Sequence, residues 1–227
     1  MNEVREMFSE ELREAAAELW QASFDHGFIQ ELVAGTLEEG AFRYYLLQDC
    51  YYLTHFSDAH GLLAAKTTDE SVRSSQLALK KGMDEGEIAI RERYFKWLGI
   101  TQEEYQKTVV APSAYQYVNH LYRQLTTGTV ATSLAALLPC YWLYHEIGVR
   151  FREVTSPNRL YQDWINTYDS PAFAENTRRQ IDLLNHLAEV ASEEERLAMK
   201  ESFLISSQYE LAFWDMSYTG ETWQFGR

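Results

Sequence analysis

The stretch LAALLPCYWLYHEIG, residues 134–148, decides the fold class of this chain. Apolar residues recur along it at steps of three and four in two neighbouring stripes, which predicts a helix that is apolar on nearly all sides. A helix of this kind belongs inside a bundle rather than on its surface. The whole chain has only four prolines, and outside this stretch it has long patterns of helical period and no alternating strand pattern. We therefore predict an all-α fold, with residues 1–227 forming a single-domain helical bundle.

Residues that often cap or end helices divide the chain into predicted segments. They are Thr36 with Glu39, Thr101 with Glu104, Pro112, Thr129, Ser170 with Pro171, and Ser192 with Glu195 at starts, and Gly99 and Gly128 at ends. The predicted helices cover about 9–23, 24–33, 36–65, 69–99 and 112–128, then the central helix from 129, a short helix ending near 168, one from 170, and a last one from 192 to about 216.

Composition excludes several classes of protein. The formal net charge of −14 leaves no basic patch for DNA or RNA, and no apolar run approaches the roughly 20 residues of a membrane span. The N-terminal residues lack the order of a signal peptide, and two cysteines do not form a disulfide framework. We therefore expect a cytoplasmic protein with reduced thiols that binds neither nucleic acid nor membrane. The 15 Tyr, 11 Phe and 6 Trp favour a core that encloses a partly polar cavity.

The two cysteines differ in their predicted surroundings. Cys140 follows Pro139, where the helix loses one backbone hydrogen bond and should kink, and it shares a face with Tyr144 one turn later. This arrangement allows a nucleophile in a pocket, although most cysteines without a disulfide are small buried hydrophobic residues. Cys50 lies about 100° away from the face of its neighbour Asp49. We interpret Cys50 as a core residue.

Two carboxylates stand among aromatic residues. Asp49 shares a helix face with Tyr45 and Tyr52, and it either bonds a ligand or reaches solvent at the edge of the core. Glu210 lies on the same side of the last helix as Phe213 and Trp214. Aromatic neighbours desolvate a carboxylate and raise its pKa towards the range useful for proton transfer. The alternative is a partly exposed glutamate.

Further aromatic residues follow at two other places. The helix after Pro112 carries Tyr117 and His120 among several polar residues, so it should line a polar cavity or contact another subunit. A lone histidine such as His120 is more often a core or surface residue than a ligand. Tyr168 stands where a short helix ends, which would allow its hydroxyl to reach across the mouth of a pocket.

Five blocks, taken in order, resemble the TenA family of class II thiaminases, or aminopyrimidine aminohydrolases. They are YYLLQDCYYLTHF (44–56), PSAYQYVNHLYR (112–123), ALLPCYWLYHEIG (136–148), WINTY (164–168) and SSQYELAFW (206–214), and the resemblance covers almost the whole chain. It implies a haem-oxygenase-type helical bundle without haem, no metal or other cofactor, and assembly as a homotetramer. It also implies hydrolysis of aminopyrimidines, or of thiamin, in thiamin salvage.

The resemblance assigns a role to seven residues of this sequence. It makes Cys140 the nucleophile, Glu210 the acid and base, and Asp49 the group that binds the aminopyrimidine. It also places Tyr52 in support of the nucleophile and Tyr117, Tyr144 and Tyr168 on the wall of the pocket. Similar proteins often have serine at the position of Cys50. Whether thiamin or the degraded aminopyrimidine is the preferred substrate stays open.

Three other hypotheses remain at this level. A di-iron bundle would need a glutamate three residues before a histidine on two helices, a pattern that is absent from the sequence. A haem protein could use His26 or His55 as the iron ligand. A non-enzymatic regulatory role is another alternative, although the acidic charge disfavours direct contact with DNA. A protein that binds pyrimidines without converting them would share the pocket but release no ammonia.

Overall fold

The computed structural model describes residues 7–225, except the side chains of residues 87–92, and its regular structure is helical throughout. The all-α prediction is confirmed. In chain order the elements are α1 (Phe8–Ala15), α2 (Ala17–Asp25), α3 (Gly27–Ala34), α4 (Glu39–Lys66), α5 (Glu70–Ile90), a π-helical segment (Arg91–Phe95), α6 (Lys96–Leu98), α7 (Gln102–Lys107), α8 (Pro112–Thr127), α9 (Val130–Phe151), α10 (Arg159–Tyr168), α11 (Pro171–Val190) and α12 (Glu193–Thr219). In the described part of the chain, every helix is too short or too polar to cross a membrane.

Most of the predicted helix starts are confirmed by side-chain caps. At four of them a hydroxyl accepts a hydrogen bond from the amide three residues later, which satisfies one of the free donors of the first turn. These four residues are Thr101, Thr129, Ser170 and Ser192. Pro112 and Pro171 are the first residues of α8 and α11, where the missing amide hydrogen has no cost.

Two predicted boundaries are wrong. Gly35 ends α3 with a φ of 75°, and the Thr36 amide then donates back to the Glu31 carbonyl at 2.8 Å. Thr36 therefore belongs to the end of α3, and α4 begins later, after Glu38. The predicted first helix is divided at Ala16, a position that no turn residue marks in the sequence.

Helix α9 forms the centre of the bundle, as its sequence predicts. It continues through Pro139, and nearly all its residues up to Gly148 are buried. It packs mainly against α12, α11 and α10, and it also contacts α8 and α4. Helix α9 therefore contacts elements from both halves of the chain, and its buried side chains are shared among five neighbouring helices.

Helices α9 and α12 run parallel in a register fixed by two buried hydrogen bonds. The Ser202 hydroxyl donates to the Thr132 carbonyl at 3.0 Å, and the Ser206 hydroxyl donates to the Ala136 carbonyl at 2.7 Å. Both serines are fully buried. Since each step is four residues on both helices, the next facing positions are 140 and 210.

A close backbone contact sets the position of the end of α10. A Cβ atom on Gly148 would lie 2.6 Å from the Tyr168 carbonyl carbon and from the Asp169 amide nitrogen. The His145 ring nitrogen lies 3.1 Å from the Tyr168 carbonyl oxygen, one turn earlier on α9. Gly148 thus lets the backbone of Tyr168 approach α9.

The Gly148→Ala variant should lower the free energy of unfolding by about 1–3 kcal/mol, because its methyl group overlaps the α10 backbone. This loss should exceed the roughly 1 kcal/mol by which alanine is favoured over glycine inside a helix. Urea unfolding at constant pH measures the change. Gly40→Ala is the matched control, since its Cβ has open space around it. Unchanged stability in Gly148→Ala would contradict the close approach.

Candidate active site

A cavity of about 270 Å³ lies between α4, α5, α9, α10 and α11. Ligand pockets of proteins usually enclose about 300–1,000 Å³, so this space suits a small aromatic compound. Apolar and aromatic side chains make up most of its wall, including Leu53, Phe56, Leu79 and Phe173. Four of the predicted site residues also lie on this wall, namely Asp49, Cys140, Tyr144 and Tyr168.

The register of α9 and α12 brings a thiol and a carboxyl group together. Cys140 on α9 and Glu210 on α12 each lie four residues beyond the bonded pair of Ala136 and Ser206. The Glu210 carboxylate is close enough to raise the pKa of the Cys140 thiol. One turn further, the rings of Tyr144 and Trp214 lie 5.2 Å apart between centroids. The same helix packing therefore places the nucleophile candidate, the acid–base candidate and part of the aromatic wall.

Cys140 faces the cavity but is otherwise surrounded by protein. Burial raises the pKa of its thiol well above the ordinary value, and the Glu210 carboxylate raises it further. The Tyr52 hydroxyl lies near the sulfur and offsets part of this rise in pKa, although it forms no hydrogen bond of standard geometry within the described part of the chain. Since the thiolate is the reactive form, a nearby base must take the proton when Cys140 reacts.

Glu210 is only 2% exposed and lies in the layer behind Cys140. Its Oε1 atom accepts a hydrogen bond of 2.7 Å from the hydroxyl of Tyr117, which is itself buried. Burial raises the pKa of Glu210 to about 8, the hydrogen bond from Tyr117 lowers it, and the charge of Asp49 raises it again. A carboxyl group with this pKa can both release and accept a proton near neutral pH.

Asp49 lies on the cavity wall and is 8% exposed. Burial raises its pKa to about 7. Near neutral pH the side chain therefore exists in both forms, and each oxygen is able to accept a hydrogen bond from a ring substituent. This group is suited to bind an amidine-like edge of a heteroaromatic ring.

An aromatic cluster closes the cavity beside Asp49. The ring centroid of Tyr168 lies 4.8 Å from that of Tyr144 and 4.7 Å from that of Trp164. The Trp164 indole donates to the Tyr45 hydroxyl at 3.4 Å. The packing of these rings holds the wall of the cavity in one arrangement.

The structure also places the other residues considered from the sequence. Tyr52 and Tyr117 lie in the buried layer with Glu210, not on the cavity wall. Cys50 is 1% exposed and part of the hydrophobic core, as predicted. His26 bonds Phe28 and Asp215, and His55 bonds Tyr122. Within residues 7–225, as far as side chains are described, no three His, Cys, Asp or Glu groups are arranged to hold a metal ion.

Sequence reasoning missed the cavity residues of α5 and α11. Ser75 and Met83 come from α5, and Phe173, Asn176 and Arg179 come from α11. Both helices are amphipathic, with one polar and one apolar face, as surface helices usually are. Such a pattern indicates that one face is buried but does not indicate that it borders a cavity.

A larger and more open groove, of about 840 Å³, lies between α8 and α12. It is lined by polar residues that include His120, Arg123 and Glu201. This is the polar side of α8 for which the sequence predicts a cavity or a subunit contact. The groove contains no cysteine and none of the seven predicted site residues. The smaller cavity is therefore the candidate active site.

Comparison with known proteins agrees with this fold. The family model described as TENA/THI-4/PQQC family matches residues 13–220. The chain belongs to this family. An aminopyrimidine aminohydrolase of Bacillus subtilis is 43% identical over 216 residues, with 95% of this chain and 92% of the relative covered. The TenA resemblance seen in the sequence is thus confirmed.

Solved structures show the same architecture. The TenA homologue protein of Pyrococcus horikoshii OT3 superposes with a TM-score of 0.87 at 26% identity, covering 95% of this chain and all of the other. A domain of Shewanella denitrificans described as having a heme oxygenase-like fold gives a TM-score of 0.73 at 13% identity, covering 96% and 94% of the two chains. At that identity the likeness concerns the fold alone, and it confirms the predicted haem-oxygenase-type bundle.

Alkylation by iodoacetamide should modify Cys140 before Cys50, because only Cys140 reaches a cavity. Since the pKa of the Cys140 thiol is raised, its reaction at pH 7 should be slower than that of glutathione and should accelerate as the pH rises through 9. Peptide mapping by mass spectrometry at several pH values measures both effects. Faster labelling of Cys140 than of glutathione at pH 7 would contradict the raised pKa, and Cys140→Ser is the control for assignment.

Proposed function

We propose that this protein is an aminopyrimidine aminohydrolase. Its substrates are 4-amino-2-methylpyrimidines that carry an aminomethyl group, or the thiazolium of thiamin, at ring position five. The observation that supports this most is the pairing of Cys140 with Glu210 beside a cavity of single-ring size that also holds Asp49. The name of the B. subtilis relative supports the same class of reaction. The physiological role would be salvage of thiamin in the cytoplasm.

Substrate binding would use the polar and aromatic groups of the wall. The Asp49 carboxyl group accepts a hydrogen bond from the amino group of the pyrimidine. It donates one to the adjacent ring nitrogen when it is protonated, or accepts one when that nitrogen carries the proton. The rings of Tyr144 and Tyr168 contact the faces of the pyrimidine. With its pKa near 7, Asp49 is able to match either protonation state of that edge. This orientation leaves the opposite edge of the pyrimidine towards Cys140.

Direct displacement by water at the exocyclic carbon would be slow, so Cys140 acts as a covalent catalyst. Glu210 takes the thiol proton while sulfur adds to the unsubstituted ring carbon, and the adjacent ring nitrogen gains a proton from Glu210. The electron pair of the ring then expels the amine or thiazole from the exocyclic carbon. Water adds to that carbon and releases one proton to the solvent or to the departed amine. The ring nitrogen returns its proton to Glu210, the sulfur leaves as the ring is restored, and Glu210 gives the proton back to the Cys140 thiolate. Tyr117 holds the Glu210 carboxyl group in place through its hydrogen bond, and Tyr52 stabilises the developing thiolate.

Replacing each cysteine separately tests the proposal. Cys140→Ser should abolish release of ammonia from 4-amino-5-aminomethyl-2-methylpyrimidine while retaining aminopyrimidine binding, because a serine hydroxyl is a weaker nucleophile. Cys50→Ser should remain active, since Cys50 lies in the core away from the cavity. A coupled ammonia assay and calorimetric titration measure turnover and binding. Full activity in Cys140→Ser, or binding without turnover in the parent protein, would contradict the proposal.

The Glu210→Gln variant should lose turnover by about 10²–10⁴-fold with little change in substrate binding, because the amide keeps the shape but cannot act as an acid or a base near neutral pH. Because the charged form of Glu210 takes the thiol proton, the rate of the parent protein should rise as the pH increases through about 8. This rise should be absent in the variant. Steady-state kinetics between pH 6 and 9.5 provides the comparison. A variant with the same turnover and pH profile as the parent would transfer the proton-transfer role to another group, such as Asp49.

The relative efficiency with thiamin and with the aminomethyl pyrimidine decides which substrate is physiological. Specificity constants for the two compounds under the same conditions measure it. We propose further that the protein assembles as a homotetramer, a state that remains a prediction. A purely regulatory role would leave both compounds unchanged in these assays.

A further inference from the structure

A continuous chain of buried hydrogen bonds begins and ends on the cavity wall. The Tyr141 hydroxyl and the His60 Nε2 atom lie 2.8 Å apart, and His60 Nδ1 lies 2.5 Å from Gln76 Oε1. Gln76 donates to Gln180 at 2.7 Å, and Gln180 donates to the Ser75 hydroxyl at 3.0 Å. All five side chains are buried. Tyr141 and Ser75 line the cavity, whereas the other three do not.

The hydrogen bonds of this chain point in one direction. Because the Gln180 amide nitrogen donates to Ser75, its oxygen accepts from Gln76, and the oxygen of Gln76 is then left to accept from His60. His60 must therefore carry its proton on Nδ1, and its Nε2 atom accepts the proton of the Tyr141 hydroxyl. Burial lowers the pKa of His60 to about 4, so the ring is neutral at physiological pH and keeps this arrangement.

This arrangement fixes the chemical character of Tyr141 towards the cavity. Its only hydroxyl proton is directed at His60, so its oxygen presents a lone pair and acts as an acceptor. The hydroxyl oxygen also lies 3.5 Å from the sulfur of Met83, and Tyr141 follows Cys140 directly along α9; all three residues line the cavity. The Tyr141 hydroxyl therefore belongs to the same part of the cavity as the sulfur atom of Cys140.

Under the proposed function, the leaving group occupies this part of the cavity. Cys140 adds to the ring carbon next to the one that bears the exocyclic substituent, so the departing group is adjacent to the sulfur. Asp49 holds the opposite edge of the ring. A primary amine is protonated at neutral pH and carries three N–H donors, whereas a thiazolium ring nitrogen carries none.

We propose that Tyr141 is a specificity-determining residue that accepts a hydrogen bond from the protonated amine of the leaving group, and that His60 is the positioning residue that keeps Tyr141 an acceptor. The inference rests on the proposed function and deepens it, since it favours aminomethyl pyrimidines over thiamin.

The chemistry of the leaving step determines which kinetic constant responds. When the C–N bond breaks, its electron pair goes to nitrogen and the ammonium departs as neutral ammonia. The hydrogen bond to Tyr141 is strongest while nitrogen still carries its full charge, so it contributes to substrate binding rather than to the transition state. Loss of this bond should therefore raise KM and leave kcat nearly unchanged.

The experiment compares the two substrates in Tyr141→Phe. KM for 4-amino-5-aminomethyl-2-methylpyrimidine should rise about 10- to 100-fold, the usual effect of losing a hydrogen bond to a charged group, with kcat changed by less than about threefold. kcat/KM for thiamin should also change by less than about threefold. Tyr161→Phe is the matched control, because Tyr161 is equally buried and donates to the Leu37 carbonyl away from the cavity. If Tyr141→Phe lowers kcat/KM equally for both substrates, so that the ratio of the two specificity constants is unchanged, the inference is overturned.

Two His60 variants test the positioning role independently of Tyr141→Phe. His60→Gln keeps an acceptor for the Tyr141 hydroxyl and should keep the preference for the amine, whereas His60→Leu frees the hydroxyl proton and should reduce that preference. An equal preference in these two variants would contradict the role of His60.

Binding to Cys140→Ser separates this inference from the proposed function. In that background, Tyr141→Phe should weaken binding of the aminomethyl pyrimidine but not of 4-amino-2,5-dimethylpyrimidine, which has no amine at this position. Equal weakening of the two ligands would again overturn the inference. A parent protein that hydrolyses neither substrate would instead refute the proposed function.

Discussion

The parallel packing of α12 on α9 is the constraint on which the candidate site depends. Two serine hydroxyls on α12 bond carbonyl oxygens on α9 one turn apart, and both bonds are buried. A shift of one helix by half a turn would move both hydroxyls away from their carbonyl partners. A buried hydroxyl without a hydrogen-bond partner lowers the stability of the fold. Because both helices advance by four residues per step, this register also places Cys140 against Glu210 and Tyr144 against Trp214.

Burial by the same bundle sets the protonation of all three reactive groups. It is the largest cause of the raised pKa values of Asp49, Cys140 and Glu210. At neutral pH the site therefore holds protons on a thiol and largely on one carboxyl group, with a second carboxyl group close to its midpoint. Under the proposed mechanism, such a site would pass the thiol proton to Glu210 during the reaction instead of keeping a preformed thiolate.

The sequence is sufficient for the central helix and for most helix starts, because capping and apolar periodicity act locally. It makes Cys140, beside Pro139, and Glu210, among aromatic residues, candidates with the alternatives left open, and only the resemblance to the TenA family assigns roles to them. It fails at Thr36, where Gly35 uses the following amides to end α3. The register between α9 and α12 joins partners 70 residues apart. The chain from Tyr141 to Ser75 joins partners 81 to 105 residues apart, except for His60 and Gln76, which are 16 apart. Both therefore depend on tertiary packing that periodicity does not encode.

Holding two protonated carboxyl groups inside the core has a consequence for stability. Asp49 and Glu210 have folded-state pKa values near 7 and 8, above their ordinary values of 3.8 and 4.5. Their contribution to folding is therefore fully present below pH 4 and is lost as the pH rises towards 8, at about 1.4 kcal/mol for each unit of the pKa difference. The fully buried aromatic residues around them, such as Trp20, Trp214 and Tyr45, offset this loss. A bound ring that donates a hydrogen bond to Asp49 would stabilise the charged form of its carboxyl group. Such a ligand would therefore recover part of the stability that the burial of Asp49 removes near neutral pH.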